Sequence, residues 1–134
     1  MTAGAGDIDD PALRSATVGA IGERAMIAAF TAQASAAGPA RDIVIGSGDD
    51  AAVVDTRGAT VISTDTAVEG RHFRFDWSRA RDVGARAIVQ SAADIAAMGG
   101  RTTGVVVSIA APPSTPVGTL LDLNAGMVLS LIHI

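Results

Sequence analysis

Two short apolar runs with carboxylates at their ends constrain the fold of this chain more than any other feature. The segments 49–55 and 61–65 each combine Val or Ile with Asp, and glycines lie at the turns beside them. Runs of β-branched residues bounded by Gly and Asp are typical of short strands. The pattern therefore predicts strands that bring carboxylates, Asp50 and Asp65 among them, to one rim of a sheet.

The surrounding chain predicts an α+β fold, with a mixed, largely antiparallel β-sheet flanked by helices. In chain order, the predicted elements are a flexible lead-in at 1–17, a helix at 19–37, strands at 42–45, 51–55 and 59–63, a helix at 80–98, a strand at 104–110 and a helix at 117–129. A turn at 56–58 would join its flanking strands into an antiparallel hairpin. Only 3% of the residues are aromatic, so the core is expected to consist of Ala, Val, Ile and Leu.

Composition excludes several classes of function. The formal net charge of −4 makes nucleic acid an improbable general partner. The sequence has no cysteine, which rules out a disulfide scaffold, a thiolate zinc site and a thiol nucleophile. Residues 1–10 lack the pattern of a signal peptide, and no run of about 18 apolar residues predicts a membrane span. We therefore expect a cytoplasmic protein without a membrane partner.

The Asp residues, with nearby hydroxyl groups, predict a metal site. Mg²⁺ prefers octahedral oxygen ligands and usually keeps several waters, so a few carboxylates and hydroxyls suffice. The candidate ligands are Asp50, Ser63, Thr64, Asp65 and Asp94. An Asx turn at 49–50 and capping roles for the other Asp residues are the alternative. Asp94 favours the metal, because a carboxylate within an alanine-rich helix is costly to bury without a cation.

Two further segments carry polar chemistry. His72 lies between Arg71 and Arg74 in the aromatic loop 66–79, which is either an anion-recognition cluster or a solvated polar stretch. Gly46-Ser47-Gly48 is either a phosphate-binding turn or a tight turn that requires glycine. The sequence has no Gly-x-Ser-x-Gly motif, so we assign no catalytic nucleophile, and the nucleotide-binding residues stay unknown.

Three ordered blocks resemble the thiamine-monophosphate kinases, which belong to the aminoimidazole ribonucleotide synthetase superfamily. The blocks are GDDAAV at 48–53, STDTAVEGRHF at 63–73 and SAADIAAMG at 91–99. The resemblance implies phosphorylation of thiamine monophosphate to thiamine diphosphate, with ATP as co-substrate and Mg²⁺ as metal. It places the family's metal ligands on Asp50, Ser63, Thr64, Asp65 and Asp94, and the substrate-binding histidine on His72. It also implies a homodimer whose sheets join across the dimer axis.

The resemblance also suggests a domain division. Residues 18–129 are expected to form the N-terminal ATP- and Mg²⁺-binding kinase domain, and 130–134 a non-native tail. The family continues with a Gly-Gly-Asp-Thr block and a C-terminal domain that this sequence lacks, so we expect the chain alone to be inactive. Two alternatives stay open. One is another ATP-using superfamily enzyme, such as a selenophosphate synthetase, a hydrogenase-maturation enzyme or a purine-pathway enzyme; the other is a non-catalytic Mg²⁺/nucleotide-binding dimerisation module.

Overall fold

The computed structural model describes residues 7–38, 42–46 and 51–133 and confirms the α+β class. The elements are α1 (Pro11–Ser15), α2 (Val18–Ile21), α3 (Glu23–Ala36), β1 (Ile43–Ile45), β2 (Val53–Val54), α4 (Ala80–Ala97) and α5 (Val117–Ile132). None of the helices within these ranges is long and apolar enough to cross a membrane. The joining of sheets across a homodimer axis stays a prediction.

The helix predicted at 19–37 is divided at Gly22. Gly22 has a φ of 79°, a left-handed conformation that favours glycine, and it separates α2 from α3. The helix predicted at 80–98 is confirmed as α4, which ends before Gly99 at a φ of 76°. The backbone N–H of Gly100 donates to the carbonyl of Ile95 at 2.9 Å, as expected when glycines end a helix.

Helix α5 is the centre of the hydrophobic core and contacts α1, α3 and α4. Its apolar residues contribute to two buried clusters. One cluster comprises Met26, Val117, Leu120 and Leu121, and the other comprises Val83, Ile88, Leu123 and Met127. No aromatic residue belongs to these two sets, which agrees with the prediction, but Met26 and Met127 replace the expected Ala beside Val, Ile and Leu.

Two glycines allow α4 and α5 to pack at very short range. A Cβ atom on Gly84 would collide with the backbone carbonyl of Leu123, and one on Gly126 would collide with that of Arg81. The Ser130 hydroxyl also donates to the carbonyl of Ala85, at 3.4 Å. Backbone contact of this kind fixes the position of α4, and α4 carries Asp94.

The N-terminal lead-in has more local structure than the sequence predicted. Arg14 of α1 donates to Asp122 of α5 at 2.6 Å, and the Val117 N–H donates to the carbonyl of Ala16 at 2.9 Å. The apolar side chain of Leu13 packs against the first core cluster. Residues 11–17 are thus placed against α5, while the flexibility of the lead-in and the wider domain division stay predictions.

The sheet is smaller and paired differently from the prediction. β1 and β2 are antiparallel, with Ile43 opposite Val54 and Ile45 opposite Val53. The predicted hairpin between 51–55 and 59–63 is therefore wrong, because β2 pairs with the strand that precedes it. Within the described residues, 59–63 and 104–110 form no strand. Val and Ile favour an extended backbone, but a strand also needs a hydrogen-bonded neighbour, which local composition does not specify.

Candidate functional site

The described site residues lie on or beside one face of α4. Asp94 belongs to α4. Ser63 and Asp65, with Thr64 between them in the chain, belong to an irregular segment that contacts this helix. Asp50, the remaining predicted ligand, lies outside the described residues, as does most of the Gly46-Ser47-Gly48 turn. The predicted convergence of Asp50 with Asp65 therefore stays a prediction.

Asp65 is held at both carboxylate oxygens. Its Oδ1 accepts the backbone N–H of Thr66 at 2.7 Å, and its Oδ2 accepts the side-chain amide of Gln90, also at 2.7 Å. Gln90 lies on α4, so the second bond joins the extended segment to the helix. These short contacts fix the plane of the carboxylate.

Asp94 lies one helical turn beyond Gln90 and is close to Ser63. The Ser63 hydroxyl lies 3.5 Å from Asp94 Oδ2, which is long for a hydrogen bond between oxygens. Four helical residues rise about 6 Å, and two residues outside a helix can span up to about 7 Å. Ser63 and Asp65 can therefore face successive turns of α4.

The argument from the cost of burying Asp94 is wrong, because this side chain is exposed. The helix directs the carboxylate outward from the core, so no cation is needed to offset desolvation. What supports a ligand role is its position beside Ser63.

His72 lies in a tight loop that fixes its ring. The Val68 backbone N–H donates to Nδ1 of His72 at 3.0 Å, and the Gly70 N–H donates to the carbonyl of Phe73 at 2.8 Å. A ring nitrogen that accepts an N–H carries no proton, so the neutral imidazole has its proton on Nε2. His72 thus presents a hydrogen-bond donor from an exposed position.

A small cleft lies between this loop and α4. Its volume is about 80 Å³. Its polar lining includes Asp65, His72, Arg86 and Gln90, and its apolar lining includes Phe73 and Val83. Typical ligand sites measure about 300–1,000 Å³. The cleft has room for a phosphate group or a hydrated cation, but not for a whole nucleotide.

The cation at the cleft is Arg86 rather than the arginines of the aromatic loop. Arg74 donates to both carboxylate oxygens of Asp76, at 2.9 and 2.6 Å, and lies 4.5 Å from the centre of the Trp77 ring. The predicted grouping of Arg74 with His72 therefore does not form in this structure. Arg86 instead donates to the His72 carbonyl at 3.3 Å.

Sequence reasoning missed both Arg86 and Gln90. The available signal was their spacing, since Arg86, Gln90 and Asp94 recur every four residues and so share one face of a helix. Outside the cleft, the hydrogen bond from Arg79 to Asp82 and the charge of that carboxylate raise the pKa of the Arg79 guanidinium.

The oxygen donors beside α4 fit a hard divalent cation. Asp65, Asp94 and Ser63 offer exposed carboxylate and hydroxyl oxygens, which Mg²⁺ prefers, and Mg²⁺ commonly retains waters at its remaining positions. Within the described ranges, no three His, Cys, Asp or Glu side chains group closely enough to hold a metal ion. The described donors can therefore form only part of such a site.

The sequence was compared with those of known proteins and protein families. A family model described as AIR synthase related protein, N-terminal domain, matches residues 48–130. The chain is 51% identical over 86 residues to a protein named thiamine-monophosphate kinase from Mycobacterium tuberculosis, covering 63% of the chain and 26% of that protein. It is 41% identical over 114 residues to a protein of the same name from Corynebacterium glutamicum, covering 83% and 32%.

A third relative of that name, from Bacillus subtilis, is 34% identical over 85 residues, covering 62% of the chain and 26% of the relative. The matches thus span about a quarter to a third of these curated relatives. No solved structure matches the chain at a significant level.

Proposed function

The chain belongs to the AIR synthase related protein family, and we propose that it is the N-terminal domain of an enzyme that phosphorylates thiamine monophosphate with ATP. The names of the similar proteins from three organisms support a kinase of this class. Because the matches cover no more than a third of those proteins, the activity is proposed for a complete protein and not for this chain alone.

The observation that carries the proposal is the row of exposed oxygens along α4 beside the His72 loop. Asp94 lies on α4 with Ser63 3.5 Å away, and Asp65 is bonded to Gln90 one helical turn earlier. Transfer of a phosphoryl group depends mainly on positioning and on compensation of negative charge. A rigid helix that holds two carboxylates next to an anion-sized cleft provides a framework for both.

In this proposal, Ser63, Thr64, Asp65 and Asp94 hold Mg²⁺, together with Asp50. Bound Mg²⁺ supplies compensation for the charge of the transferring phosphoryl group. His72 donates from Nε2 to the substrate, because its Nδ1 already accepts the Val68 N–H. Gly70 has a φ of 79° and allows the turn that brings the His72 ring to the Val68 N–H.

The reaction needs no protein nucleophile. A phosphate oxygen of thiamine monophosphate attacks the γ-phosphorus of ATP in line, and the bond between that phosphorus and the β–γ bridging oxygen breaks as ADP leaves. An ionised phosphate oxygen has no proton to lose at neutral pH, so no general base is required. The protein contributes by orienting the two substrates for this attack.

The proposed active site is larger than the part of it that this chain forms. A cleft of about 80 Å³ cannot enclose two phosphorylated substrates. We place the remaining walls in the rest of the complete protein and in a second subunit of a homodimer. The chain alone is accordingly expected to be inactive, and the cytoplasmic location stays a prediction.

The direct test measures ADP formation by the complete protein with ATP, Mg²⁺ and thiamine monophosphate. Asp65→Asn and Asp94→Asn should each lower kcat/KM by about 100-fold, because each keeps its shape but loses a charge at the transferring group. Both residues are exposed, so the free energy of unfolding should change by less than about 0.5 kcal/mol.

Asp82→Asn is the matched control for this test. Asp82 is an exposed carboxylate on α4 that binds Arg79 outside the cleft, so its loss should leave activity nearly unchanged. Absence of turnover with thiamine monophosphate would reject the proposed substrate. Turnover with a selenium, purine-pathway or hydrogenase-maturation substrate would instead support another superfamily enzyme.

A further inference from the structure

We infer that Gln90 is a positioning residue, which holds the Asp65 carboxylate in the orientation that binds the metal ion. The inference deepens the proposed function and rests on its assignment of Asp65 as a ligand. Gln90 itself is neither a proposed metal ligand nor a proposed substrate-binding residue.

The geometry supports this role directly. Gln90 Nε2 lies 2.7 Å from Asp65 Oδ2, while the Thr66 N–H occupies Oδ1 at the same distance. A carboxylate oxygen has two lone pairs, so each oxygen retains acceptor capacity after these bonds. The two donors therefore orient the carboxylate without using all its lone pairs.

A purely structural purpose explains the Gln90 bond poorly. Both Gln90 and Asp65 are exposed, and their bond joins an exposed extended segment to the surface of α4. An exposed hydrogen bond adds little to folding, because water satisfies both groups in the unfolded chain. Held carboxylates bind cations more tightly, since their side-chain freedom is already lost before the ion arrives.

Arg86 makes a similar connection one turn earlier on α4. Its guanidinium donates to the carbonyl of His72 at 3.3 Å. The helix thus contacts the segment 65–72 at both of its ends, and Gln90 is the contact that reaches a proposed ligand. The rigidity of α4 comes from its close packing on α5 at Gly84.

The experiment titrates Mn²⁺, as a paramagnetic stand-in for Mg²⁺, into the complete protein and measures free Mn²⁺ by electron paramagnetic resonance. Gln90→Ala should raise the Kd about 10-fold, the lower end of the range for partners of metal ligands. Val89→Ala is the control, because Val89 is an exposed neighbour on the same helix. Its Kd should match that of the wild type.

A double-mutant cycle tests whether Gln90 acts through Asp65. In an Asp65→Asn background, adding Gln90→Ala should change the Kd less than twofold, since the carboxylate it orients is gone. In the complete protein, Gln90→Ala should raise the Mg²⁺ concentration for half-maximal rate about 10-fold while kcat at saturating Mg²⁺ is retained. A general loss of folding would not give this separation.

The outcomes distinguish this inference from the proposed function. If Asp65→Asn weakens Mn²⁺ binding and Gln90→Ala does not, Gln90 has no positioning role, although the metal site stands. If the wild-type complete protein and its Asp65→Asn variant bind Mn²⁺ equally or not at all, the assignment of Asp65 as a ligand fails, and the role of Gln90 fails with it. An equal effect of Gln90→Ala in both backgrounds would also overturn the inference.

Discussion

Helices α1 to α5 form the helical part of this chain, and residues 42–46, 51–65 and 101–110 form its extended part. The two parts differ in how completely they cover their apolar residues. In the helical part, α5 packs against α1, α3 and α4, and both Val117 and Leu121 are fully buried. In the extended part, Val106 is 96% exposed and Ile62 is 83% exposed. Large exposed apolar surfaces commonly mark interfaces. The helical part thus carries its own core, whereas the extended part presents an apolar surface that we propose is covered by the rest of the complete protein and by the second subunit of the homodimer.

Leu121→Ala should produce the largest loss of stability. The substitution removes a fully buried side chain from the core around α5, so the free energy of unfolding should fall by about 2–5 kcal/mol. Urea denaturation followed by circular dichroism measures this change. Val106→Ala is the counterpart in the extended part and should cost less than about 0.5 kcal/mol. Similar losses for both variants would contradict the difference between the two parts.

Gly126→Ala should have the next largest effect. The added Cβ would collide with the carbonyl of Arg81, so α4 and α5 must separate, at a cost of about 1–3 kcal/mol. The control is Gly104→Ala, where the nearest side-chain atom to the new Cβ, on Ile43, is 3.9 Å away. The same urea measurement should show little change there. If Gly126→Ala left the free energy of unfolding unchanged, α4 and α5 would not pack as closely as the contact between Gly126 and Arg81 indicates.

Val106→Lys should weaken the proposed homodimer of the complete protein. A charge in an apolar interface lacks a partner, so the dimer Kd should rise at least about tenfold, which equals about 1.4 kcal/mol. Light scattering after size-exclusion chromatography, over a range of concentrations, measures the change. Val89→Lys, at another exposed valine, is the control on α4. An unchanged dimer with Val106→Lys would remove this residue from the interface.

Arg14→Ala should give the smallest effect. The pair with Asp122 is partly exposed, so its loss should lower the free energy of unfolding by at most about 1 kcal/mol, and less at high salt. Arg101→Ala breaks the pair with Asp42 in the extended part and should cost less still. A larger effect of Arg101→Ala would show that the extended part is held more firmly than its exposure indicates.

Sequence information predicted the helices better than the sheet. Helix ends depend on local residues, and Gly99 ended α4 where expected because a left-handed conformation there favours glycine. Strand pairing depends on distant residues, so the apolar run at 59–63 could not reveal that β2 pairs with β1. The apolar periodicity of residues 19–37 continues across Gly22, so the sequence predicted one helix where the structure has two.

The sequence indicated candidate site residues but not the contacts that hold them in place. The block at 63–73 indicated Asp65 and His72, and the structure places both at one cleft. The contact between Asp65 and Gln90 joins residues far apart in the chain, and no local spacing encodes it. The exposure of Asp94 was also missed, because alanine neighbours do not reveal which side of a helix faces the core.

The central position of α5 has a consequence for the order in which the chain can fold during synthesis. Helices α1, α3 and α4 all pack on α5, yet α5 follows them in the sequence. A ribosome therefore exposes their apolar faces before the element that covers them has emerged. Contacts between distant residues slow folding, and uncovered apolar faces attract other chains. The nascent domain thus completes its core only after α5 has emerged. Binding of chaperones to the nascent chain should be greatest just before residues 117–132 leave the ribosome.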